Sequence, residues 1–102
     1  MYYDKDGKSI SLMEWADLFE DMKYRKVMDT YIKNYHVSTV WIGLNHSFGS
    51  EDIRIFETMI FGDNEDDELD GWMERYRTEE EARLGHEEVI KLVKANVNEK
   101  DT

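Results

Sequence analysis

Two apolar runs, Val37 to Leu44 (VSTVWIGL) and Ile53 to Phe61 (IRIFETMIF), stand close together in the chain. Between them lies a polar, glycine-bearing segment, Asn45-His46-Ser47-Phe48-Gly49-Ser50-Glu51-Asp52. Both runs are rich in β-branched and aromatic residues, both have strand length, and the residues between them suit a turn. They read as an antiparallel hairpin at the centre of a sheet. Each run carries apolar side chains on both of its alternating faces, so one face needs a covering layer and the other invites a partner.

Around this hairpin the local signals alternate between helix and strand. Asp6-Gly7 suits a tight turn between Tyr2-Tyr3 and Ser9-Ile10, because glycine accepts positive φ. Ser11 and Glu14 form a capping-box pattern ahead of Leu12, Trp15, Leu18, Phe19 and Met22 at helical spacing, which predicts a helix over 12–23. Residues 25–33 give conflicting signals: Val27, Thr30, Tyr31 and Ile32 favour a strand, whereas Lys26, Met28 and Asp29 suit a continuing helix. The strand is the reading adopted, with a longer N-terminal helix as its alternative. Alternation over 71–77 predicts an edge strand. The acidic segment Gly62-Asp63-Asn64-Glu65-Asp66-Asp67-Glu68 predicts a self-repelling, mobile loop. Thr78 and Glu81 form a second capping box before a helix over 78–96, with Ala82, Gly85, Val89, Leu92 and Val93 as its apolar stripe. Gly85 costs helix stability, which close approach of that helix to the sheet would offset.

The expected architecture is α+β: an antiparallel three- to four-stranded meander over 25–33, 37–45, 53–61 and 71–77, with two amphipathic helices packed on one face. Its 102 residues suffice for one modest core. The domain is expected to span 1–96, with 97–102 as a frayed tail.

Composition narrows the partners. Lys and Arg number 13 against 24 Asp and Glu, a formal net charge of −11. Such a surface repels phosphate backbones and anionic lipid, so direct nucleic-acid or membrane binding is disfavoured; the same charge serves solubility first, and could attract a basic protein or imitate the phosphate array of DNA. Cysteine is absent, which removes disulfides and thiolate metal ligands. No stretch has the length of a spanning helix and the first residues lack a basic-then-apolar signal, so a cytoplasmic protein is expected.

Four ordered motifs together carry a resemblance: Tyr3-Asp4-Lys5-Asp6-Gly7-Lys8-Ser9-Ile10-Ser11 leading to Glu14-Trp15; Val37 to His46 (VSTVWIGLNH); Ile55 to Phe61 (IFETMIF); and Tyr76 to Ala82 (YRTEEEA) leading to Gly85-His86-Glu87. In that order they resemble a family of small bacteriophage- and prophage-encoded proteins without an assigned activity. The acidic loop and the Lys91 to Thr102 tail depart from the pattern. The resemblance implies a phage context, and hence the host cytoplasm during infection, and brings no catalytic residues.

Several residues merit attention as sites. Asp63, Glu65, Asp66, Asp67 and Glu68, with Glu79 and Glu80 at a helix start, form candidate partner-binding carboxylates that could imitate the charge array of DNA. Trp41, with Val37 and Thr39, is expected on an uncovered sheet face that binds a partner or forms a homodimer. His46 lies at a strand end beside a loop. Glu57 is buried in one register of its strand and solvent-facing in the other. His86 completes the polar candidates. A metal site from His46, His86 and Glu57 would be chemically sound, but the spacing matches no ligand motif, and a hydrogen-bonded structural histidine is the expectation. No nucleophile elbow or glycine-rich phosphate loop occurs. Trp41, Phe56 and Trp72 could stack bases, but the basic groove such a platform needs is missing. The expected function is protein–protein interaction without a cofactor, directed at a host nucleic-acid-binding or defence protein. A virion or assembly component and a small metal-dependent enzyme are the alternatives.

Overall fold

A computed structural model describes residues 1–45 and 52–100, Lys100 through its backbone alone. The chain opens with a two-stranded hairpin, β1 (Tyr2–Tyr3) and β2 (Ser9–Ile10). Asp4 Oδ1 accepts from the amides of Asp6 and Lys8, and Gly7 takes φ 82°, so the Asp6-Gly7 turn forms as its chemistry requires. Helix α1 (Leu12–Glu20) starts with both halves of the Ser11/Glu14 capping box in place. The expected single helix over 12–23 divides in two, because the Asp21 carboxylate accepts from the amides of Lys23 and Tyr24 and starts a new turn, α2 (Met22–Arg25).

Four strands follow as a meander: β3 (Lys26–Ile32), β4 (Tyr35–Trp41), β5 (Phe56–Phe61) and β6 (Met73–Tyr76), each antiparallel to the next. The strand reading of 25–33 therefore holds. A two-residue turn joins β3 to β4, pairing Ile32 with Tyr35, and a register shift marks a bulge between Lys26 and Met28. The last element is α3 (Glu79–Lys100). It runs past the expected end, and Val97 is a core residue where a fraying tail was expected. No helix among the described residues is long and apolar enough to cross a membrane.

Helix α3 lies across all four strands and defines the inner face of the sheet. Tyr35, Val37, Thr39 and Trp41 of β4, with Phe56, Thr58 and Ile60 of β5, are buried on that face. Ala82, His86, Val89, Val93 and Val97 of α3 are buried too, at the three- and four-residue steps that keep one stripe against the strands. This corrects two expectations. Trp41 is 0% exposed and cannot serve a partner directly, because the face it shares with Val37 and Thr39 is the covered one. Leu92 is 42% exposed and leaves the stripe to His86. Gly85 does mark the close approach expected of it: a Cβ there would lie 2.2 Å from the Tyr76 ring.

Helices α1 and α2 do not lie beside α3. They close one end of the sheet, where Trp15 Nε1 donates to the Ile42 carbonyl at 2.9 Å and the Tyr24 ring stands edge-on to Trp41, centroids 4.9 Å apart. The core accordingly has two parts. One gathers Tyr35, Val37, Ile60, Leu69 and the C-terminal half of α3; the other gathers Trp41, Ile55, Phe56, Tyr76 and Ala82, with Trp15, Leu18 and Phe19 packed against it.

Candidate functional site

With α3 on one side, alternation places a second set of side chains on the other. In register across the strands these are Lys26, Asp29 and Tyr31; His36, Ser38 and Val40; Glu57, Met59 and Phe61; and Met73 and Arg75. Among the described residues no element spans this face, and Tyr31, Phe61 and Met73 are exposed. Tyr31 and His36 stack at 4.3 Å and 7°, with Phe61 5.7 Å beyond His36, so three strands contribute one row of rings. Asp29 receives Lys26 at 2.9 Å and His36 at 2.8 Å. Burial works to raise the Asp29 carboxyl, but those two bonds outweigh it and hold it below the usual carboxylate range. At the other end Trp15 and Phe19 of α1 join Ile42, Leu44, Glu57 and Arg75 around a shallow cavity of about 300 Å³.

Glu57 belongs to this open face. It pairs across the strands with Arg75, whose Nε lies 3.1 Å from Oε2, which satisfies a largely covered carboxylate. His86 lies on the opposite side of the sheet, 0% exposed. The two therefore cannot share a metal, and His46 lies outside the described residues. No three His, Asp or Glu side chains among the described residues gather as a metal site.

His86 is instead held by threonines. Its Nδ1 lies 2.6 Å from Thr39 Oγ1, which also meets Thr58 Oγ1 at 2.5 Å, and its Nε2 lies 2.9 Å from Thr30 Oγ1. A neutral imidazole donates once and accepts once, and hydroxyls can answer either need. Burial keeps the imidazole below the ordinary histidine range, although Glu87 and Asp29 pull upward. The unfolded chain takes up a proton near pH ~6.5 that the folded chain resists. Stability is thus fully present above that pH and is lost as pH falls through the lowered folded value. In denaturant titrations from about pH 7 downward, the wild type is expected to lose stability more steeply than His86→Gln, by up to about 1.4 kcal/mol per pH unit. Equal slopes would show that His86 does not resist protonation.

The acidic segment is built differently from its composition. Asp67 accepts from the Tyr35 hydroxyl and from the Leu69 amide, Asn64 Oδ1 accepts from the Asp66 amide, and Asp70 Oδ1 accepts from the Gly62 amide. Asn96 of α3 donates to Glu68, and Leu69 is buried. The segment is fastened to the body rather than mobile, while Asp63, Glu65 and Asp66 face outward. At the start of α3, Glu79 is engaged by Arg83 at 3.0 Å and Lys5 at 3.9 Å; Glu80 is exposed. Glu68 meets α3 at Asn96, so the two acidic groups are separated by the rise from residue 80 to residue 96, about 24 Å. They are two patches.

Sequence reasoning missed Asp29, His36, Tyr31 and Arg75. The signal was the Lys33-Asn34 turn: a two-residue link between alternating runs fixes register, and that register sets Tyr31 against His36. Comparison with protein-family profiles, with curated proteins and with solved structures found no match, and the surfaces themselves carry the functional reading.

Proposed function

We propose that this chain acts by binding a cationic protein, with the ordered acidic segment 63–68 as the contact surface. The observation that carries this reading is the fastening of that segment by its own carboxylates and amides. Asp63, Glu65 and Asp66 are held outward before any partner arrives, so binding does not have to order them. A net charge of −11 adds long-range attraction to a basic surface. The resemblance to phage-encoded proteins supports a host nucleic-acid-binding or defence protein as the target, its DNA cleft occupied by carboxylates in place of phosphates.

The test is affinity capture from host cells with the wild type and with the combined variant Asp63→Asn, Glu65→Gln, Asp66→Asn. These three positions leave the Asp67, Glu68 and Asp70 bonds intact. Loss of the partner in the variant, and weakening as salt rises, is the expected result. A specific partner indifferent to both changes would defeat the electrostatic account. The open sheet face favours one other reading, an assembly component, which finding the protein in purified virions would establish.

A further inference from the structure

We infer that the open sheet face is an interface between two copies of this chain. The face presents Val40, Met59, Phe61, Met73 and the Tyr31–His36 stack, and it is bare among the described residues. Charge identifies the occupant. On this face and its rim Arg25, Lys26, Lys33 and Arg75 stand against Asp29, Glu57 and Asp63, close to balance, whereas the whole chain carries −11. The excess negative charge therefore lies elsewhere. A cationic partner is drawn to the acidic segment and has no electrostatic reason to choose this face. A second copy does: here two acidic molecules meet with least repulsion, and a two-fold axis brings both signs of one copy against both signs of the other.

The dimensions agree with a reversible dimer. Four strands about 4.8 Å apart and about 20 Å long give a flat footprint of about 400 Å² per copy. Side-chain relief and the Phe19 and Met22 rim enlarge it, and a total of roughly 800 Å² or somewhat more is the size of a weak, transient contact rather than a permanent one. Methionines suit such a contact, since their flexible thioethers adapt to an opposing surface. Two sheets would pack about 10 Å apart with their strands nearly aligned. Of the acidic segment, Asp63 adjoins this interface beside Tyr31, His36 and Phe61.

Sedimentation across a concentration range tests it. The expected mass rises from 12.2 kDa towards twice that value. Added salt should favour the dimer by screening repulsion between like-charged copies, the opposite of its effect on a cationic partner. Phe61→Glu with Met73→Glu, both at exposed positions, should hold the chain monomeric with an unchanged circular dichroism spectrum. Should that variant unfold, dilution of the wild type followed by NMR serves instead: Met59, Phe61 and Met73 resonances should shift, and those of Leu84 and Leu92 on the outer surface of α3 should not. A strict monomer in both salts, a dimer untouched by the folded variant, or dilution shifts confined to α3 would each overturn the inference. So would open-face shifts that occur only when a different protein is added.

Discussion

Trp41→Ala is expected to lower stability by about 3–5 kcal/mol, a large part of what a domain of this size has. Trp41→Lys should leave no folded protein, because it adds an unpaired buried charge. The indole is fully buried between α3 and the end of the sheet closed by α1 and α2. Its Nε1 donates to the Tyr3 carbonyl at 3.1 Å, and its ring lies edge-on to Tyr24. The chain folds back over it at Gly43, where φ is 65° and a Cβ would lie 2.3 Å from the ring. Truncation therefore removes more than apolar area, since it takes away the support on which β1 and the Gly43 backbone rest. The urea midpoint measures the effect. A change within about 0.5 kcal/mol, as at an ordinary surface position, would contradict this placement.

Gly85→Ala is expected to destabilise, against the usual trend. In a helix interior the exchange ordinarily gains up to about 1 kcal/mol. Here the new methyl would meet the Tyr76 ring at 2.2–2.5 Å, and that ring is itself buried beneath α3. Either the helix lifts, loosening Ala82 and His86, or the ring leaves its place. A net loss of about 1–3 kcal/mol follows from such overpacking. Tyr76→Leu should relieve it, so the double variant should lose less than the sum of the two single changes. Additive losses would mean that the clash is absent.

Fold class was readable because each element carries its own local signal. The capping serines and threonines, the Asp6-Gly7 turn and the strand-length β-branched runs do not depend on the rest of the chain. The assignment of faces depends on it entirely. Val37, Thr39 and Trp41 differ little in apolar character from Val40 and Ile42, so β4 alone cannot say which set meets α3. That is decided by a non-local choice, the packing of Ala82, Val89, Val93 and Val97 over Phe56 and Ile60. A hydrogen-bonded structural role was expected of His86, but its burial within the α3 stripe was hidden for a related reason. A histidine does not look apolar, yet its position completes the stripe, and Thr30 and Thr39 satisfy its two nitrogens. Composition misled for the acidic segment, because a count of charges ignores that Asn64 and Asp67 accept from amides two residues ahead, the ordinary use of these side chains in turns.

Helix α3 follows, in order of synthesis, every strand that it covers. The strands can pair as they leave the ribosome, but Val37, Thr39, Trp41, Phe56 and Ile60 then face water with nothing above them. Translating Glu79 through Val97 takes about 1–4 s at ordinary rates. Until that helix docks, the apolar residues beneath it lack their cover. Completion of the fold is thus a late event, governed by the arrival of one helix.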